Sequence, residues 1–101
     1  MNMNNMQDLL KKAKKMQAEM EQQESAIAEQ EFIVEKQGIK VVLTGNRRIK
    51  EIQINEALID PDDPELVQDL VMLAVNEGLA KIDETYDSLT SKFGGAGGFP
   101  F

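Results

Sequence analysis

EFIVEKQGIKVVLTGNRRIKEIQI, residues 31–54, is the stretch that decides the fold. Phe32 and Val34, then Ile39, Val41 and Leu43, alternate with polar neighbours. That period of two predicts strands with one buried face. Gly38 falls in a tight connection between the first two runs. Gly45-Asn46 marks a second hairpin turn, since both residue types tolerate positive φ. In the third run Ile49 is out of parity with Ile52 and Ile54, and a bulge near Lys50-Glu51 reconciles them. The expected middle of the chain is a three-stranded antiparallel meander.

The period changes on both sides. Residues 4–30 contain no Gly or Pro and read as one long helix. Met6, Leu9, Ala13, Met16, Met20 and Ile27 fall on alternating steps of three and four, the spacing of a coiled-coil-like seam, interrupted at Gln23 and Gln30. On the same wheel Lys11, Lys12, Lys14 and Lys15 spread over roughly 160° on the opposite side. The seam is expected to pack inward and the lysines to face out. Downstream, residues 57–65 (ALIDPDDPE) form a loop and a helix start. Asp63 suits the N-cap, Pro64 the first helical position and Glu65 the dipole. Leu66, Val67, Leu70, Val71, Ala74, Val75, Ile82, Tyr86, Leu89 and Phe93 then make a broad apolar stripe. This second helix is expected to run to Lys92. Gly94–Gly98 ends it, leaving residues 94–101 (GGAGGFPF) as a tail expected to be flexible.

The fold class is therefore α+β: long helix, meander, long helix, in one domain over residues 1–93. Length adds a constraint. Helices of roughly 27–29 residues span about 40 Å, whereas strands of six or seven residues cover about 20–24 Å. Three short strands cannot cover two such stripes. An intertwined homodimer with projecting helix ends resolves the mismatch.

Composition excludes several function classes. The chain has 101 residues, 42% of them hydrophobic but only five aromatic, so the core is aliphatic and methionine-rich. Without Cys there are no disulfides or thiolate metal sites, as suits a reducing compartment. Without His the usual general base and zinc ligand are missing. Asp60, Asp62 and Asp63 lack the Gly and distal Glu of a calcium loop and read as turn and cap residues. Tyr86 lies on the apolar stripe and reads as core. No metal, cofactor, small-molecule substrate or enzymatic activity is expected. The N-terminus MNMNNMQD has no apolar signal region, and no apolar run is long enough for a membrane span. A cytoplasmic protein is the expectation.

Charge is the remaining signal. Residues 1–50 carry nine basic and seven acidic side chains, a net of +2; residues 51–101 carry two and eleven, a net of −9. Lys11, Lys12, Lys14 and Lys15 form one basic cluster. A second comprises Lys36, Lys40, Arg47, Arg48 and Lys50, with Arg47 and Arg48 directly after the turn. Neither cluster interleaves aromatics, and no reading helix is recognisable. If the partner is nucleic acid, backbone contact with little base readout is expected. Phe99-Pro100-Phe101 offers a further docking element for a hydrophobic pocket.

The order of elements resembles the YbaB/EbfC family of small bacterial nucleoid-associated proteins. MQDLLKKAKKMQAEMEQQ looks like that family's first helix. KVVLTG followed by IKEIQINEALI looks like its hairpin, and DPDDPELVQDLVMLAVNEGLAKIDE like its most distinctive stretch. The Gly/Phe-rich tail is similar too. One departure is the first connection, Lys36-Gln37-Gly38, where members often have a longer Gly-rich loop. The resemblance implies a tweezer-like homodimer that binds duplex DNA at the nucleoid, with consequences for nucleoid organisation and gene expression. Carried over by position, Lys11, Lys12, Lys14 and Lys15 are the phosphate contacts, with Arg47 and Arg48 as further candidates. The alternative is a protein–protein module that uses the first helix or the tail and has no direct DNA role.

Overall fold

The three alternating runs pair as a meander in a computed structural model that describes residues 3–94. Helix α1 (Met3–Glu29) leads into β1 (Glu31–Lys36), β2 (Ile39–Thr44) and β3 (Arg48–Ile54). A single 3-10 turn at Glu56–Leu58 follows, and then helix α2 (Pro64–Lys92). The fold is α+β as expected. The tail residues 95–101 lie outside the described residues.

Strand order is β1-β2-β3. Phe32 pairs with Leu43 and Val34 with Val41; Leu43 in turn pairs with Ile49, and Val41 with Ile52. The β2–β3 register shifts at Val42/Leu43, passing over Lys50. This is the bulge that parity demanded, and it sets Ile49, Ile52 and Ile54 on one face with Phe32, Val34, Val41 and Leu43.

The two turns differ from each other. Gln37 and Gly38, with φ of 50° and 90°, close a two-residue hairpin of the primed kind. At the second turn the expectation of positive φ at Gly45-Asn46 is not met. The left-handed residue is Arg47, with φ 64°. Its N–H donates to the Thr44 carbonyl at 2.9 Å. A three-residue hairpin loop places its αL position last, which explains the displacement. Gly45 is glycine for another reason: an added Cβ would overlap the Ile27 carbonyl oxygen at the end of α1. The Gly45 N–H donates to Gln30 and the Asn46 N–H to Ala28, at 3.0 and 3.1 Å. From the other side the Tyr86 hydroxyl donates to the Gly45 carbonyl at 3.1 Å. One glycine thus joins α1, the hairpin and α2.

Helix α2 lies across β1 and β2. Leu70, Ala74 and Ile82 bury themselves against Phe32, Val34, Ile39, Val41 and Leu43. Val41, Leu43 and Ile82 are fully sealed, each contributing about 1.5–3 kcal/mol. Ala74 and Gly78 keep the helix close; a Cβ at Gly78 would overlap the Leu43 side chain. The cover stops short of β3, where Ile49, Ile52 and Ile54 remain 49%, 41% and 37% exposed on the core face. Leu66, Met72 and Leu73 of α2 are exposed as well.

Two expectations about the helices need correction. Asp63 stands at the N-cap of α2, yet its side chain caps nothing. The turn is instead organised by Asp60, whose carboxylate accepts from the Asp62 N–H at 2.9 Å and whose carbonyl accepts from the Asp63 N–H at 3.0 Å. The α1 seam packs inward only at its C-terminal end. Ile27 leans on the core, and Met20 and Gln23 are half-buried. Met6, Leu9, Leu10 and Met16 are exposed, because no other described element extends beside them. The radius of gyration, 20.5 Å, compares with about 13 Å for a compact chain of this length. The molecule measures 75 × 20 × 14 Å. Helix α1 is an arm.

Gly45→Ala should be destabilising by about 1–3 kcal/mol, because the new methyl would run into the backbone of Ile27 and Ala28. Thermal unfolding at fixed protein concentration measures this, and an unchanged Tm would contradict the packing described.

Candidate nucleic-acid interface

The arm separates its two kinds of side chain. Residues 9–18 contain four lysines and no acid. Lys11, Lys12, Lys14 and Lys15 are all exposed. Among the described residues no ion pair engages any of them. The four emerge within about 6 Å of helix axis, on the side away from Leu9 and Met16. Four unpaired ammonium groups at that density suit a run of phosphates.

The second basic cluster is divided by the fold. Arg48 opens β3 and is exposed. Arg47 turns back instead. Its guanidinium lies 2.6 Å from an Asp83 carboxylate oxygen and 5.2 Å from the centre of the Tyr86 ring. The left-handed backbone at Arg47 turns this residue out of line with its neighbour, so the two adjacent arginines have different surroundings. Lys50, the bulge residue, reaches Glu31 at 2.9 Å. The hydrogen bond and charge of Glu31, with Glu51 adding, hold the Lys50 ammonium above its ordinary range. Lys36 lies 3.9 Å from Glu77, and Lys40 is half-buried.

Position along the molecule matters as much as pairing. The Arg47-Arg48 hairpin abuts the last turn of α1, so these two arginines and the arm lysines lie on the Gly45 side of the sheet, whereas Lys36 and Lys40 flank the Gln37-Gly38 turn at its other end. The acidic loop of Asp60, Asp62 and Asp63 lies toward the other end, where the Asn55 N–H donates to Gly38 and Leu58 packs on that turn. The arm lysines and the acidic loop before α2 therefore lie at opposite ends of the sheet, while Asp83 of α2 meets Arg47 at the Gly45 end.

Tyr86 is half-buried against the core, as read from the stripe. Its alliance with Arg47 and Asp83 was not legible. Asp83 and Tyr86 stand three apart and share a helix face, but nothing in the sequence indicates which hairpin residue meets them. The uncovered face of β3 was also missed, although the parity of Ile49, Ile52 and Ile54 after the bulge was a usable signal. No helix among the described residues is long and apolar enough to cross a membrane.

Comparison with known proteins gives a consistent picture. The sequence profile of the YbaB/EbfC DNA-binding family matches residues 3–97. A nucleoid-associated protein of Metamycoplasma arthritidis is 63% identical over 89 residues, covering 88% of this chain and 94% of the relative. Another, from Mycoplasmopsis pulmonis, is 45% identical over 101 residues and covers all of both chains. The crystal structure of an uncharacterized protein from Helicobacter pylori superposes with a TM-score of 0.58 at 22% identity, covering 91% of this chain and 96% of that one. At that identity the likeness concerns the fold.

The Arg47–Asp83 pair should show a coupling of about 0.5–1 kcal/mol, as its exposed position allows. A double-mutant cycle on Arg47→Ala and Asp83→Ala, read by denaturant unfolding, measures it. Strictly additive single effects would exclude the contact.

Proposed function

This chain belongs to the YbaB/EbfC DNA-binding family, a family of DNA binders and not of enzymes, and from that premise we propose that it is a nucleoid-associated homodimer gripping duplex DNA by its phosphates. The observation that carries this reading is the arm. It holds Lys11, Lys12, Lys14 and Lys15 exposed and unpaired, clear of the acidic body. Arg48 adds a fifth cation near the arm's root. Arg47 is assigned a holding role on α2 rather than a DNA contact.

Selectivity for sequence should be low. The lysines are flexible point charges that meet phosphate rather than base edges. Bound in this way at many sites, the protein would influence nucleoid organisation and, through it, gene expression.

The dimer supplies the second arm. Ile49, Ile52 and Ile54 form an open apolar face continuous with the core, and Leu66, Met72 and Leu73 are exposed on α2. A twofold axis that sets the β3 face of one copy on α2 of the other would cover both patches twice. Such a pairing presents eight first-helix lysines.

Two measurements test this reading. With about six to eight phosphates neutralised, log K should fall against log[salt] with a slope near −5 to −7. Changing all four arm lysines to Gln should abolish retardation of a duplex in a gel shift. Binding that is unaffected by salt, or that survives the fourfold change, rejects the assignment. Separately, Ile52→Glu should give a monomer in sedimentation and weaken DNA binding by removing the second arm. A dimer that persists would reject the β3 face as its interface.

A further inference from the structure

The arm exposes an apolar edge that no described element covers. Met6, Leu9, Leu10 and Met16 are between 42% and 60% exposed. Leu9 lies eighteen residues before Ile27, five whole helical turns, so the two face the same side of α1. Ile27 and Tyr86 both pack on the core, and Gly45 touches both residues. That side of α1 is therefore the side of α2.

Dimensions fix the relative direction. From this joint α2 runs back about 33 Å to Pro64, and the arm runs about 36 Å to Met3. Together they fill most of the 75 Å long axis, and widths of 20 and 14 Å leave no room for the arm to depart sideways. The arm and the last turns of α2 therefore run antiparallel. Beyond Tyr86, however, α2 continues only about 10 Å to Phe93, whereas Leu9 lies about 27 Å along the arm. The apolar edge extends some 17 Å past the end of α2.

The chain that leaves carries apolar groups. After Gly94, with φ 126°, come residues 95–101, ending in Phe99, Pro100 and Phe101. Five extended residues from Gly94 span at most about 17 Å, and seven about 24 Å. Phe99 can thus reach the level of Leu9, and Phe101 the level of Met6. In an extended chain residues two apart face the same side, which puts both rings on one side. Each ring offers about 150–250 Å² for burial.

We propose that Phe99-Pro100-Phe101 folds back along its own arm and covers the edge formed by Met6, Leu9, Leu10 and Met16. Lys11 and Lys15 stand opposite this edge, and Lys12 and Lys14 border it one turn from Leu9 and Leu10, so the contact does not depend on DNA. It removes an apolar stripe from an otherwise charged rod.

The chain contains no Trp, so Phe101→Trp in the full-length protein provides a single reporter. Its emission should be blue-shifted and shielded from iodide. Both effects should be lost when Leu9→Ser and Leu10→Ser are added; these sites are exposed, so the core is left intact. Emission typical of a water-exposed indole in both backgrounds overturns the proposal. A blue shift that survives the two Ser substitutions also overturns it, because the ring would then lie elsewhere. In mixed dimers with excess Leu9→Ser, Leu10→Ser protein lacking the reporter, the shift should persist; its loss would assign the contact to the second copy and overturn the intrachain form. Changing the four lysines to Gln should leave the shift unaltered, which separates this test from the DNA assignment.

Discussion

An α-helix with its side chains is about 10 Å wide, and neighbouring strands lie about 4.8 Å apart, so one helix covers two strands and not three. Much of this molecule follows from that width. Helix α2 is centred on β1 and β2, where Ala74 and Gly78 let it approach closely. The core is sealed there and ends at β3. Ile49, Ile52 and Ile54 are core residues by parity and surface residues by cover. A fourth strand or third helix would have closed the domain; this chain uses its remaining length on an arm instead.

The arm resolves an apparent contradiction in the charge. A chain with a net charge of −7 is a poor candidate for a polyanion if its charges are averaged. They are not averaged here. The lysines stand roughly 18–24 Å out from the Gly45 joint, and the acidic loop before α2 lies beyond the sheet on the other side. With a Debye length of about 8 Å at physiological ionic strength, that loop is screened from the arm tip. An approaching anion meets the local +4 of residues 9–18. On the proposed function, the acidic body would orient the encounter by repelling a duplex from the far end of the molecule.

What was legible in the sequence was what depends on period. Alternation located the strands, and the parity of Ile49 against Ile52 located the bulge to within a residue. Helical spacing located α1 and α2 within one residue of their ends. What was not legible depends on partners distant in sequence. The positive φ at Arg47 follows from loop length, not from residue preference. Gly45 reads as a turn residue but is required by the carbonyl of Ile27, eighteen positions earlier. Asp63 has the right chemistry for a cap, yet Asp60 already fixes the turn. For the candidate site, the arm lysines could be read because they lie side by side in sequence. The separate fates of Arg47 and Arg48 could not, since Asp83 and Tyr86 decide them. The inward packing of the seam failed toward the N-terminus for a similar reason: periodicity shows which side is apolar, not whether anything stands beside it.

The single joint at Gly45 has a mechanical consequence. A rod held only near one end converts small rotations at its root into large displacements at its tip. Tilting α1 by about 10° at Ile27 carries a lysine some 21 Å away through nearly 4 Å, slightly more than the 3.4 Å rise of one base-pair step. The stiffness of the contacts at this root, two backbone hydrogen bonds and the packing of Ile27, therefore governs how closely the position of the cationic tip is defined. On the proposed function, a glycine in a hairpin turn, far from any phosphate, would set the tolerance with which the arm meets a duplex.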